Sequence, residues 1–161
     1  MNKRKGFTMV ELLVSMSLFV IVISITSGVF IRSLRTQRIS VALIAANSNV
    51  SLAIEQMARE MRTGQNFSVS GGSEISFTNA SGEAVVYRLA NSAIERRIGT
   101  GDYKKITASN VVIENLNFTL LSDSSYSPRI TITIGVSPAN VSVSGIVINL
   151  QTTVSSRIIG G

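Results

Sequence analysis

The sequence contains neither cysteine nor histidine, and its first proline is Pro128. Without cysteine the chain can form no disulfide, no thiolate nucleophile and no cysteine metal site. Without histidine it lacks the commonest general base and the commonest metal ligand. Catalysis would then need a carboxylate pair or a Ser–Lys dyad, and the scattered acids suggest neither. No enzyme activity, cofactor or metal is therefore expected. Charge is also sparse, at 15% of 161 residues against 45% apolar. The formal net charge is +6, but Lys3, Arg4 and Lys5 supply half of it and leave 12 basic against 9 acidic residues elsewhere. That excess is too small to make nucleic acid the main partner.

What the sequence does have is concentrated in its first third. It begins with three cations and a glycine, then FTMVELLVSMSLFVIVISITSGVFI. Phe7 to Ile31 is a 25-residue stretch whose only charge is Glu11, long enough to cross ~30 Å of hydrocarbon as a helix. A cleaved secretory signal has a shorter apolar core, of roughly 7–15 residues. Lys3, Arg4 and Lys5 favour a cytoplasmic N-terminus, although Arg32, Arg35 and Arg38 directly beyond the span weaken that bias. Those arginines are read as contacts for lipid phosphates, as a solvated stalk, or as both. Ser15, Ser17, Ser24, Thr26 and Ser27 serve either close helix packing or hydrogen bonds to their own helix's carbonyls.

The helical signal continues past the span. Ile39, Leu43, Ala46, Val50, Ile54, Met57 and Met61 are spaced by threes and fours, averaging about 3.67 residues, the stripe of a straight amphipathic helix. Glu55 and Arg59 form an i,i+4 pair on another face. Arg59 and Arg62 suit a last turn, and Gly64 is placed at the C′ position. A helix from about Phe7 to Arg62 is expected, of roughly 84 Å at 1.5 Å per residue, with Gly28 and its Ser and Thr neighbours as its weak point.

After Gly64 the pattern turns to short alternating segments. EISFT, NASG and EAVVYRLA read as strand, turn and strand, with Ile75 and Phe77 facing the same way as Val85, Tyr87 and Leu89. AIERRI is a candidate third strand, followed by VVIENLNFTLL, RITITIGV and VSVSGIVINLQTTVSSRII. In the last of these the apolar parity flips around Gly145, which predicts a bulge or a break. An antiparallel sheet with one apolar face needs a cover, and the 39–61 stripe is the amphipathic helix available for it. The expected fold is α+β. A helix that is bare at 7–31 and amphipathic at 32–63 leads into a β-rich head at 64–161.

Within the head, Arg96, Arg97, Lys104 and Lys105 flank GTGD with Tyr103 and form a candidate ligand patch of the kind DNA capture would need. A solvated loop is the alternative reading. GTGD lacks the strand-to-helix context of a phosphate loop and is read as a turn. Asp102 and Asp123 are single acids without a ligand cluster, although a calcium loop built partly on carbonyls would leave little trace. The sequons at Asn49, Asn66, Asn79, Asn117 and Asn140 are expected by chance in a chain so rich in Ser and Thr.

The stretch KRKGFTMVELLV resembles the class III signal of type IV pilins and pseudopilins: a short basic leader ending in Gly, then Phe, with Glu as the fifth residue after the cut. The resemblance covers Lys3 to about Ile31. More loosely, SLAIEQMAREMRTG and the strands after it are similar to larger minor pseudopilins of type II secretion and to minor pilins of competence and pilus systems. The resemblance implies that a prepilin peptidase removes residues 1–6 by cutting after Gly6 on the cytoplasmic side. It implies N-methylation of Phe7 and makes Glu11 the assembly residue. Implied partners are other pilins or pseudopilins, an inner-membrane assembly platform and the bilayer of a bacterial cytoplasmic membrane, with the head outside and later in a filament. The chain lacks the proline many major pilins carry where Gly28 stands, and their C-terminal disulfide, which favours a minor role. A DNA-binding or adhesive pilin and a plain signal-anchored membrane protein are the alternatives.

The motif also has a physical reading. In the uncut chain the Phe7 nitrogen is a neutral amide. The cut makes it an α-ammonium with a pKa near 8, mostly charged at neutral pH. Among packed helices that cation and Glu11 of the same or a neighbouring subunit attract strongly, while either alone is a costly buried charge.

Overall fold

A computed structural model describes residues 6–123, 126–139 and 146–157. Lys3, Arg4 and Lys5, the expected break at Gly145 and the Asn140 sequon lie outside the described residues. The chain falls into two compact units that divide between Ser40 and Val41. One helix, α1 (Met9–Arg62), contributes to both.

In the first unit residues 6–38 are exposed throughout. The helix runs through Gly28 without a break. A Cβ at Gly28 would meet nothing within 4 Å, so the fold asks for no glycine there. Ser15, Ser17, Ser24 and Thr26 each donate to the carbonyl four residues back, at 2.7–2.8 Å. These hydroxyls are thus satisfied within the helix, which is how an apolar helix tolerates them.

The second unit holds the core. Along α1 the fully buried residues are Ala46, Val50, Ala53, Met57 and Met61, and Ile54 is partly buried. They pack on two antiparallel sheets, where the sequence pattern had suggested one. The larger sheet runs in chain order through β1 (Gln65–Ser70), β2 (Glu74–Thr78), β3 (Ala84–Ala90), β4 (Ala93–Ile98) and β5 (Lys104–Lys105). The smaller has β6 (Val111–Asp123), β7 (Tyr126–Pro138) and β8 (Ile148–Ser155). As the alternation requires, Ile75 pairs with Tyr87 and Phe77 with Val85. Ile130, Ile132, Ile134 and Val136 are fully buried. The NASG turn closes on Asn79, whose Oδ1 accepts from the Ser81 and Glu83 N–H groups at 3.0 and 2.9 Å.

Two strands escaped the sequence pattern, β1 and β5. QNFSVS has only two apolar side chains in an irregular register, and β5 is two lysines. A bulge in β6 also went unread. The register slips between Ile113 and Asn115, which carries the buried face from Val111 and Ile113 to Leu116 and Phe118. The sheets are tied end to side: the Phe118 N–H donates to Gly72 O at 2.7 Å and the Ile113 N–H to Ser92 O at 2.9 Å.

The end of α1 is held by the far end of the chain. The Arg157 N–H donates to Arg62 O at 2.8 Å, and the buried Ser156 hydroxyl donates to Gly64 O at 2.7 Å. The two residues just past β8 thus satisfy an open carbonyl of the last helical turn and one in the loop that follows it. Gly64 is not the left-handed cap its position suggested, because its φ is not positive. Its need is spatial: a Cβ there would sit 2.6 Å from Phe77 Cδ2. Phe77 is itself fixed between Phe67 and Tyr87, at centroid distances of 5.3 and 6.2 Å. Gly64→Ala is therefore expected to destabilise the head by about 1–3 kcal/mol through overpacking. Thermal denaturation of the full chain in micelles checks this, and an unchanged midpoint would contradict it.

Candidate functional site

Gly6 and Phe7 precede the helix, and Phe7 is 82% exposed. A Cβ at Gly6 would meet nothing within 4 Å. Thr8 caps α1: its Oγ1 accepts from the Glu11 N–H at 3.2 Å, and its carbonyl accepts from the Leu12 N–H at 3.2 Å. Thr8 and Glu11 have the T-x-x-E spacing of a capping box, a signal the sequence itself carries. It sets Glu11 in the first helical turn, where the helix's own N-terminal field favours an anion by about 0.3–1 kcal/mol. Placing a carboxylate in hydrocarbon costs a few kcal/mol by insertion scales. The helix end therefore offsets only part of that cost. Past Glu11 the helix up to Ile31 presents only apolar residues, small residues and back-bonded hydroxyls, and Arg32, Arg35 and Arg38 beyond it are exposed.

In the head the five patch residues separate. Alternation along β4 sends Arg96 to the helix-facing side and Arg97 to the outer side. Arg96 forks onto Glu60 of α1, with Nη2 at 2.8 Å from Oε1 and Nε at 3.1 Å from Oε2. The Tyr87 hydroxyl donates to the same Oε2 at 3.0 Å. Burial, together with the Glu60 carboxylate, pushes the Tyr87 hydroxyl well above the usual tyrosine range. Burial works against the charge on Arg96, but Tyr87 and Glu60 outweigh it and hold its pKa above the usual value. This cluster joins helix to sheet. Nothing in the sequence pattern announced it, because its members lie 27 and 36 residues from Glu60.

On the outer side, the register aligns Glu74, Arg88, Glu95 and Lys105 in one row of alternating sign. Arg88 donates to Glu95 Oε2 from Nε at 3.0 Å and from Nη2 at 2.8 Å, and that bond raises its pKa. Arg88 also stacks 3.4 Å from the Tyr103 ring centroid, and Arg97 lies 4.7 Å from it. Tyr103 is thus occupied by two guanidinium groups, and the five residues make no continuous basic track. GTGD is a turn, with the Gly101 N–H donating to Ile98 O at 3.1 Å. Asn49 has an internal role, since its Oδ1 accepts from the Ala108 N–H at 3.0 Å.

Because folding raises the Tyr87 pKa above its unfolded value near 10, the stability it contributes is fully present below that value. It is lost as pH rises from there toward the folded pKa, since the unfolded chain ionises first. Tyr87→Phe should flatten the alkaline limb of the stability curve. Thermal melts of both chains from about pH 9 to pH 11 test this, and parallel curves would contradict it.

Residues 1–27 match the model of one protein family, the prokaryotic N-terminal methylation motif. No curated protein and no solved structure matches the chain significantly.

Proposed function

We propose that this type IV pilin-like chain, with its class III signal and its long helix on antiparallel sheets, is a minor pilin or minor pseudopilin. It joins the tip, or initiates assembly, of an envelope-spanning filament, and it works by packing rather than by catalysis. A prepilin peptidase cuts after Gly6, Phe7 is N-methylated, and the mature helix stands in the cytoplasmic membrane with the head outside. The observation that carries the reading is the methylation motif at residues 1–27, within which Gly6, Phe7 and Glu11 hold their positions.

The fold adds support of a different kind. Among the described residues nothing lies within 4 Å of a Cβ placed at Gly6, so a requirement for glycine there would come from outside the fold, as a protease's recognition does. The same holds for Gly28, which costs a helix interior about 1 kcal/mol relative to alanine. The apolar helix is long enough to cross a membrane and none of its most apolar window is buried, so its partners are lipid or other helices. Glu11 gains a full counter-ion only once the cut frees the Phe7 amine.

A DNA-capturing head draws little support from the split patch, where Arg96 is committed to Glu60 and Arg88 to Glu95. The full chain is accordingly expected to show no salt-dependent DNA binding of the kind phosphate contacts give.

Co-expression with a prepilin peptidase followed by intact-mass measurement tests the processing. The product should begin at methylated Phe7, and a chain that keeps its leader sinks the reading. Glu11→Ala should be cut normally yet enter filaments poorly. Normal incorporation of that variant would remove the counter-ion argument while leaving the cleavage claim standing.

A further inference from the structure

Strand β5 ends the five-stranded sheet, and among the described residues no strand pairs with its outer side. Such an edge offers unpaired N–H and C=O groups to any extended chain that approaches. Beside it, between α1 and the sheet edge, lies a groove of about 540 Å³ lined by Gln56, Ile98, Asp102, Lys104, Lys105 and Ile106, with two lysines against the single acid. Ile98 is 36% exposed there, giving the groove an apolar floor. Arg96, which also lines it, is neutralised by Glu60. Lys104 and Lys105 are exposed and hold no ion pair among the described residues.

Lysines on a sheet edge often serve only to prevent self-association, and here they do prevent it. A second copy adding antiparallel at β5 would set each Lys104 against a Lys105, and directly opposed like charges destabilise a strand pair. No other segment of a second copy suits the edge either, since the sequence has no two consecutive acidic residues. Blunting alone, however, needs no groove with an exposed isoleucine beside it. Side chains of an added strand alternate between the sheet's two faces. The residue opposite Lys104 would face the groove, the one opposite Lys105 would face the outer side, and the one opposite Ile106 would face the groove again. Ile106 continues the ladder, because its N–H donates to Ile94 O at 2.9 Å.

We propose that β5 and this groove bind, by strand addition, an extended segment of a different protein that reads apolar–acid–acid from N to C terminus. The apolar side chain covers Ile106, the second acid meets Lys104 and the first meets Lys105. Backbone pairing supplies affinity and the alternate side chains supply selectivity. The inference stands on the head alone and holds whether or not the chain is cleaved after Gly6.

The test uses the full chain in zwitterionic micelles with three fluorescent probes: the acetylated peptide Thr-Val-Glu-Glu-Val-Thr, its Lys-Lys counterpart and an oligothymidylate. The Glu-Glu peptide should bind, weaken with added salt and protect the outward-facing Lys105 amide from hydrogen exchange. The double change Lys104→Glu with Lys105→Glu should weaken it by about tenfold or more, given two reversed cross-strand pairs. The milder Lys104→Gln with Lys105→Gln should lie between, and melting midpoints of both variants check that the head stays folded. Failure of the Glu-Glu peptide to bind, equal binding of the Lys-Lys peptide, tighter binding of the oligothymidylate, or undiminished binding by folded variants would each overturn the proposal.

Discussion

On the proposed reading a carboxylate stands among hydrocarbon and must find a cation, and the N-terminal segment is built around that constraint. Glu11 is the only charge from Phe7 to Ile31. Capping by Thr8 and the field of the helix N-terminus ease its position, but by less than insertion costs. On the proposed reading the missing cation is made by proteolysis, which turns the Phe7 amide nitrogen into an ammonium four residues away. The same cut removes Lys3, Arg4 and Lys5, so one covalent step changes both the charge that directs insertion and the charge that permits packing. The remainder of the apolar segment offers neighbours few polar groups, since four of its five hydroxyls, on Ser15, Ser17, Ser24 and Thr26, are turned back onto their own helix.

The second half of the helix meets a different demand. Its Ala, Val and Met stripe buries against two sheets, and Glu60 carries the one charge that faces them. That charge is compensated at once by Arg96 and Tyr87. Glu60 resembles Glu11 in needing a partner, but its partner is intramolecular and permanent. The contrast separates a residue that fixes the fold from one that, on the proposed reading, waits for assembly. The tie from Ser156 and Arg157 to the helix end closes the head in the same way, by giving open carbonyls local donors.

Much of this was legible in the sequence because it follows from periodicity. The steps from Ile39 to Met61, the alternation from Ile130 to Val136 and the NASG turn each specify local geometry that tertiary packing had no reason to override. The motif at Gly6, Phe7 and Glu11 was legible for another reason, since on the proposed reading it is read by a peptidase and must therefore be local. What could not be read was non-local. The pairing of Glu60 with Arg96, the division into two sheets and the edge at Lys104–Lys105 depend on which strands meet. The role of Gly64 depended on the position of the Phe77 ring, and a glycine at C′ looks the same in sequence whether it supplies a left-handed turn or simply room. The bulge at Glu114 did leave a trace, the change of apolar parity between Ile113 and Leu116, and the T-x-x-E spacing at Thr8 left another.

On the proposed reading, the cut gives Glu11 its counter-ion within the assembled helices. Solid-state NMR on filaments carrying ¹⁵N at the Phe7 amine and ¹³C at the Glu11 carboxyl measures that distance directly. Dipolar coupling should report an ion pair, with nitrogen and carboxylate oxygen within about 4 Å. Absence of that coupling in filaments that contain the fully processed chain would contradict the account.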